Sequence, residues 1–450
     1  MNPRPWTISI RGAARLLVLY LVLVLFSVAY EFFYATQLTY LYHDDYTAFD
    51  LSKPGVYTLL CFLTPLALLP IGTRFRAPAQ LIVGAAAVFI FIPIPIVFVA
   101  MVSTTEFWQV YSLLWVSYLV VSSLASLSVN IRLPEVSEVR YQRTLLIGLL
   151  VGGLLFAYTI ATNHFAVVSL DKSHAAQADV TVVGWQAYLI GGFLGSFGGL
   201  LVAFAIMFRR YFLIPLALIG YYCCYGALSE RDAMLMPLWI AYIFFMQRFF
   251  FRGSVTRYVV TVMTPFLFFF LLSLALGLED RKSFFYDLIT LTNYRLYSIP
   301  AISFNVYYHF FENNPHTYWS HIGVIGNFVR YPYGQPLAVV LQNAYELGND
   351  NASFIETDGI AAAGMVVVPF VSLIFGLVMV GINSCLRGLN ITLCTIVMAG
   401  VGVVLIDTGI GPALVTNGLA LMSIVLMFAP RDAQWNLRYL QRLPKVAADG

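Results

Sequence analysis

Twelve long apolar stretches recur along this chain, and nearly all of its charge falls in the gaps between them. A helix needs about 20 apolar residues to cross a hydrocarbon core of about 30 Å, and inside that core every backbone N–H and C=O must find its partner within the fold. The stretches lie near 15–36, 56–72, 80–102, 108–128, 144–163, 184–207, 211–227, 232–247, 258–277, 360–382, 389–406 and 412–429. Composition agrees: 60% of residues are hydrophobic and only 10% are charged, too few to cover a water-facing surface. The expectation is an all-α polytopic membrane protein of about 12 transmembrane helices, with membrane lipid as its solvent. No internal repeat or Gly/Ser linker divides residues 1–450, so a single integral membrane domain is expected. Arg4, Arg11 and Arg15 precede the first stretch, which is long enough to span and has no small-x-small cleavage site behind it; a retained anchor is expected.

The five cysteines, Cys61, Cys223, Cys224, Cys385 and Cys394, sit within apolar segments, so neither a disulfide framework nor a metal cage is supported. The net charge of +3 is small, and no nucleic-acid partner is expected.

Basic residues orient such a bundle, because loops rich in Lys and Arg stay on the cytoplasmic side. With the first gap inside, 18 of the 25 basic residues fall on that side. This predicts cytoplasmic N- and C-termini. Seven escape to the opposite side: Lys53, Lys172, Arg231, Arg281, Lys282, Arg295 and Arg330. All six histidines, His43, His164, His174, His309, His316 and His321, map there too, which suggests where chemistry takes place.

The longest non-spanning segment, 279–358, is too apolar and aromatic for a disordered linker. Its first part, Ser283–Phe311, reads as amphipathic helix broken or kinked at Pro300, suited to a re-entrant or interfacial element. Turn signals follow at Asn313-Asn314-Pro315, Tyr331-Pro332-Tyr333-Gly334 and Gly348-Asn349-Asp350-Asn351.

Within this segment, Arg295 sits among aromatic and apolar residues, where a guanidinium is costly unless it is paired or meets an anionic ligand. A salt bridge to Asp287 or Glu312 is the structural alternative. Arg231, flanked by Glu230 and Asp232, turns between two short apolar stretches. It is either neutralised by its neighbours or presented to a substrate, with the tip sunk below the membrane surface. His321 precedes Gly323 and Gly326, which would let a ligand approach closely, and its side chain suits acid–base work; Arg330 follows. Three arginines suit a phosphate-bearing substrate. A lipid pyrophosphate places its head at the membrane surface, and arginines could stabilise the leaving pyrophosphate without a divalent ion. Asp44 and Asp45 offer the alternative of a metal-holding pair, a solvated acidic loop being the simpler reading.

The run Arg295-Leu-Tyr-Ser-Ile-Pro300-Ala, then Tyr307-Tyr308-His309-Phe310-Phe311, Asn314-Pro315, Tyr318-Trp319-Ser320-His321, Tyr331-Pro332, Asn351-Ala352-Ser353-Phe354 and Asp358-Gly359-Ile360-Ala361 resembles the oligosaccharide repeat-unit polymerases, the O-antigen polymerases of the Wzy type. The resemblance is sharpest over 295–364. It departs from the common pattern at Ile360-Ala361-Ala362-Ala363, where an aromatic run is more familiar.

The resemblance implies a glycosyltransferase C-like fold in a bacterial inner membrane, with a large late periplasmic loop at 279–358. It implies metal-independent transfer of a growing glycan from undecaprenyl pyrophosphate onto a lipid-linked repeat unit at the periplasmic face, with no cofactor. Arg295, His321 and Arg231 would then be catalytic, and Arg330, Tyr294, Tyr331, Glu230, Asp358 and Gly359 would contact pyrophosphate or sugar. Partners would be the lipid pyrophosphate-linked oligosaccharide donor and acceptor, with a polysaccharide chain-length regulator as a further candidate. An O-antigen ligase, transferring finished glycan to lipid A core, shares the donor chemistry and remains the alternative. A lipid-linked oligosaccharide flippase fits less well, because the apolar stretches are nearly charge-free.

Overall fold

The computed structural model describes residues 10–38, 49–131, 136–162, 184–228, 231–276, 284–320, 325–345 and 354–431. Among them the chain is helical, and the one isolated bridge pairs Arg74 with Ser254. Among the described residues ten helices are long and apolar enough to cross a membrane, and two shorter apolar ones accompany them. The chain is an all-α, multi-pass membrane protein.

The first six helices are α1 (Ile10–Leu38), α2 (Pro54–Ile71), α3 (Ala79–Phe98), α4 (Thr104–Leu124), α5 (Glu138–Thr162) and α6 (Trp185–Met207). Next come α7 (Leu213–Leu228), α8 (Arg231–Met246) and α9 (Val255–Leu276). The long connecting segment holds α10 (Phe284–Ile289), α11 (Ile299–Asn313), α12 (Leu337–Tyr345) and α13 (Ile355–Ala363). Four helices complete the bundle: α14 (Met365–Cys385), α15 (Ile391–Asp407), α16 (Ile410–Leu414) and α17 (Leu419–Met427).

Main-chain and side-chain bonds at the helix ends bring the arginine-bearing connections to one face. Phe75 N donates to Gly253 O and Val255 N to Thr73 O, joining the α2–α3 and α8–α9 turns. Asn383, fully buried near the end of α14, accepts from Ala79 N and donates to Ala125 O and Leu127 O. Arg431 closes the same face by donating to Cys385 O, Arg387 O, Met427 O and Ala429 O, satisfying carbonyls that a helix end leaves without partners. We call this the basic face and the opposite one the loop face. Between them α3 is the hub, with 94% of its apolar stretch buried, whereas α5 lies at the rim with 6%.

Three stretches differ from their expected bounds. The eighth is not short: α8 continues through a wide turn, Gln247–Phe251, so the segment from Arg231 is 21 residues long and needs no sunken tip to cross. The stretch expected over 360–382 is two elements, because Gly364 adopts φ +83° and breaks the helix between α13 and α14. The last stretch is likewise interrupted between α16 and α17, where Gly418 has φ +73°.

Candidate functional site

The segment Phe284–Asn313 is a re-entrant hairpin. It runs from the loop face into the bundle through α10 and a wide turn at Thr290–Leu296, reverses at Tyr297–Ser298, and climbs back as α11. Pro300 lies in the first turn of α11, where its missing N–H costs nothing and its fixed φ suits a helix start. The turn's depth follows from its contacts. The Tyr297 hydroxyl donates to Val262 O at 2.6 Å, and Asn293 Nδ2 donates to Phe266 O at 3.3 Å, both acceptors lying about midway along α9. The Tyr297 ring sits 4.8 Å from Phe89 and 5.1 Å from Phe266, centroid to centroid. Ser298 Oγ donates to Asn293 O at 3.0 Å and accepts from the Tyr30 hydroxyl.

Arg295 rides on this wide turn, half-buried, beside the buried Tyr294. Wide turns of this type often mark functional positions because they re-aim one side chain out of the regular helical ladder. Here the turn sets the main chain at Arg295 about level with Val262 and Phe266, midway along α9.

A second re-entrant piece is α13. It points from the bundle interior toward the loop face and reverses at Gly364 into α14. Gly359 meets Val368 so closely that a Cβ there would lie 2.9 Å from Val368 Cγ2 and 3.1 Å from Val368 Cα. Close backbone approach is therefore one reason for Gly359. Asp358 is buried, and its Oδ2 accepts from Ile410 N at 3.0 Å. A carboxylate at a helix start satisfies an open N–H and opposes the positive end of the helix dipole, so Asp358 ties α13 to α16. A small cavity of about 20 Å³, room for one water, lies beneath Phe354, Ile355, Thr408 and Ile410.

A strained turn covers the upper end of α13. Thr317 N donates to Ala361 O at 2.7 Å and Tyr318 N to Ala362 O at 2.9 Å, so this turn supplies the donors that the helix end lacks. Tyr318 and Trp319 have φ of +48° and +60°. Left-handed conformations of this kind cost of order 1–3 kcal/mol each in non-glycine residues and concentrate at functional sites. The ring of His316 stacks on Phe311 at 5.7 Å. Arg330 is exposed beyond this turn. The neighbouring Tyr331 ring packs on Tyr333, which packs in turn on Phe310 near the upper end of α11. Burial raises the Tyr331 phenol above its ordinary value, and burial followed by the nearby Tyr331 pushes Tyr333 up to about 12.

The structure thus brings Tyr294 and Arg295 together on the re-entrant turn and Asp358 with Gly359 on α13, and α11 packs against α13. Tyr331 joins the hairpin through Tyr333 and Phe310, a climb of roughly 15–18 Å along α11 from its start, and Arg330 beside it is exposed. Glu230 and His321 lie outside the described residues, as do Asp44, Asp45 and the side chain of Arg231. The main chain starts α8 at Arg231. Gln247 of α8 bonds Thr392 of α15, which sets Arg231 about level with Thr408 and close in height to Asp358.

Sequence reasoning missed Glu356. It is 1% exposed, and neither carboxylate oxygen has a hydrogen-bond partner among the described residues. The available signal was an acidic pair, Glu356 and Asp358, beside an apolar stretch. The expected stretch begins at 360, so both fall in the 279–358 loop, and the resemblance singles out Asp358 alone. Among the described residues no three His, Cys, Asp or Glu side chains form a group of the kind that holds a metal ion. No family model, curated protein or solved structure matches this chain.

Proposed function

We propose that this protein is a glycosyltransferase that polymerises lipid-linked glycan repeat units, using undecaprenyl pyrophosphate-linked glycan as donor. The observation that carries this reading is Arg295, half-buried on a wide turn that Tyr297 and Asn293 bolt to the middle of α9. A lipid pyrophosphate has its tail in the bilayer and its charge at the membrane surface. An arginine reached from the loop face along the re-entrant hairpin would meet the pyrophosphate as it is drawn in from that face, together with the sugar joined to it. On this reading the bundle is of glycosyltransferase C-like type in a bacterial inner membrane, the loop face is periplasmic and the termini are cytoplasmic.

In the transfer, a hydroxyl oxygen of the acceptor repeat unit attacks the anomeric carbon of the donor glycan. The bond from that carbon to the pyrophosphate oxygen breaks, and the electron pair leaves with the lipid pyrophosphate. Arg295 stabilises the charge that develops there. His321 takes the acceptor proton, or binds the pyrophosphate, in which case that proton passes to the departing pyrophosphate; Arg231 adds positive charge at the level of Asp358. The step is metal-independent. Tyr294, Arg330, Tyr331 and Glu230 are assigned to substrate contacts, and Asp358 and Gly359 shape the floor beneath them.

The test is purified protein with lipid pyrophosphate-linked repeat units, assayed with and without EDTA. Polymer should form in chelator, and Arg295→Ala should remove it at an unchanged protein level. Polymer of normal length from Arg295→Ala would overturn the assignment. Transfer of glycan to lipid A core in place of repeat units would replace polymerase by ligase.

A further inference from the structure

The end of α11 and the two turns that follow it build one continuous array of rings on the loop face. The Tyr333 hydroxyl donates to Pro315 O at 2.5 Å, which pins residues 331–333 beside the strained turn. From Tyr331 the rings run to Tyr333 (5.6 Å, centroid to centroid), Phe310 (5.7 Å) and Phe311 (5.0 Å). They continue to His316, which stacks on Phe311 at 5.7 Å, and end at Tyr318, 6.4 Å from His316.

Burial divides the array into a floor and an open side. Phe310 and Phe311 are buried, His316, Tyr331 and Tyr333 are half-buried, and Tyr318 is 59% exposed. The turn explains the contrast between its two aromatic residues. Trp319 packs against the core, while the main-chain bonds to Ala361 and Ala362 fix a backbone that leaves Tyr318 outside.

Two polar atoms on the array are open. His316 Nδ1 and the Tyr331 hydroxyl are shielded from water and have no hydrogen-bond partner among the described residues. Buried polar atoms are nearly always paired, so each calls for a ligand or an ordered water.

The array stands over the bundle, not at its rim. Phe304 and Tyr308 hold α11 to Phe98 of α3, at 5.1 and 4.9 Å. The Tyr308 hydroxyl donates to Glu106 Oε1 of α4 at 2.8 Å, and α13 packs on a further side. Enclosed by these neighbours, the upper end of α11 opens to water at the loop face and not to lipid.

A sugar ring has faces of C–H groups and an edge of hydroxyls. Flat aromatic side chains take the faces, and open ring nitrogens or phenols take the edge. We propose that this array is a binding platform for the glycan chain, with sugars stacked on Tyr318 and hydroxyls bonded by His316 Nδ1 and Tyr331. The array caps α11, whose start adjoins the Arg295 turn, so it holds the part of the glycan already clear of the transfer centre. By retaining the chain between transfers, it sets how long the polymer grows. The choice of glycan as ligand rests on the proposed function.

The test uses full-length protein in detergent and, as probe, repeat-unit oligosaccharide released from its lipid pyrophosphate by mild acid. Isothermal titration gives Kd for wild type and variants. Tyr318→Phe keeps the flat ring and should stay within about 2-fold of wild type, whereas Tyr318→Leu keeps only apolar bulk and should raise Kd at least about 3-fold. His316→Phe keeps the stack on Phe311 without the ring nitrogens and should also raise Kd. Equal Kd in Tyr318→Leu and wild type would overturn the proposal and assign Tyr318 to an apolar contact such as the membrane surface. Absence of binding by the wild-type protein would overturn it too. Should Tyr318→Leu fail to accumulate, nitration of the wild-type protein by tetranitromethane decides. Protection of Tyr318 by the oligosaccharide supports the platform, and nitration indifferent to it counts against. In the polymerisation assay Tyr318→Leu should give shorter chains, where Arg295→Ala gives none. The binding readout needs no lipid pyrophosphate, so normal polymer from Arg295→Ala would remove the transfer reading and leave the platform to its own result.

Discussion

The Tyr30 hydroxyl donates a 3.1 Å hydrogen bond to Ser298 Oγ, joining the first helix to the reversal point of the re-entrant hairpin across 268 residues of chain. Ser298 passes the bond on to Asn293 O, three residues before the turn ends at Leu296. Tyr30→Phe removes one bond and should lower stability by about 1 kcal/mol. Ser298→Ala removes both bonds and should cost more, while also loosening the turn that carries Arg295. Thermal unfolding in detergent ranks the two variants. Equal melting of Ser298→Ala and wild type would show that the hydroxyl does not hold the turn.

Gly359 and Val368 form the closest point of the α13–α14 hairpin. A Cβ at Gly359 must displace Val368 main chain as well as side chain, so Gly359→Ala should destabilise by about 1–3 kcal/mol. Gly148, with nothing within 4 Å of its would-be Cβ, is the control: Gly148→Ala should be neutral or slightly stabilising. Val368→Ala on the Gly359→Ala background removes Cγ2, the nearer of the two obstacles, and should recover part of the loss. Coupling between these neighbours is measured by a double-mutant cycle. Strict additivity would mean that the crowding is relieved elsewhere.

Arg295 and Arg330 differ in placement and should differ in consequence. On the proposed function, Arg295→Lys retains charge but loses the planar fork that matches phosphate, so turnover should fall at least about 10-fold. Arg330 is exposed and lies outside the re-entrant hairpin, so Arg330→Ala should weaken substrate capture with less effect on turnover. The check is a steady-state comparison of kcat and KM for the two variants. A larger loss of kcat at Arg330 would reverse the assignment.

The span pattern and the sidedness of charge were legible because both are one-dimensional signals. Apolar length predicts crossing, and the gaps holding Arg74, Arg76, Arg252 and Arg257 do meet on one face. The re-entrant hairpin was half legible. Pro300 marks a break, but hydropathy cannot distinguish an aromatic helix lying on the membrane from one that dips into it; the contacts of Tyr297 with Phe89 and Phe266 decide that. Glu356 was hidden for a related reason. A helix of nine residues is too short to register as a span, so no apolar pattern marks Glu356 as buried. Burial there comes from α4 and α14 packing around it, a tertiary fact that no local pattern carries.

Acid sensitivity should appear at the loop-face start of α2. Asp50 accepts from Ser52 N at 2.9 Å and Ser52 Oγ at 2.6 Å and pairs with Lys53 at 3.0 Å. The Ser52 hydrogen bonds first, and Lys53 after them, hold its carboxyl down to about 2 from an ordinary 3.8. A depressed folded-state value means that the contribution is fully present above 3.8 and disappears as pH falls through about 2. Lys53 Nζ also donates to Val99 O and Val102 O, so Asp50 helps hold the clamp that closes the end of α3. Asp50→Asn should therefore melt slightly below wild type at neutral pH. The gap should be modest, because the pair is reached by solvent, and it should close between about pH 4 and pH 2. Lys53→Met removes the donors to Val99 and Val102 whatever the charge on Asp50, so part of its deficit should persist at the acid end. A gap for Asp50→Asn that survives undiminished at pH 2 would mean that the carboxylate's charge is not what holds this corner.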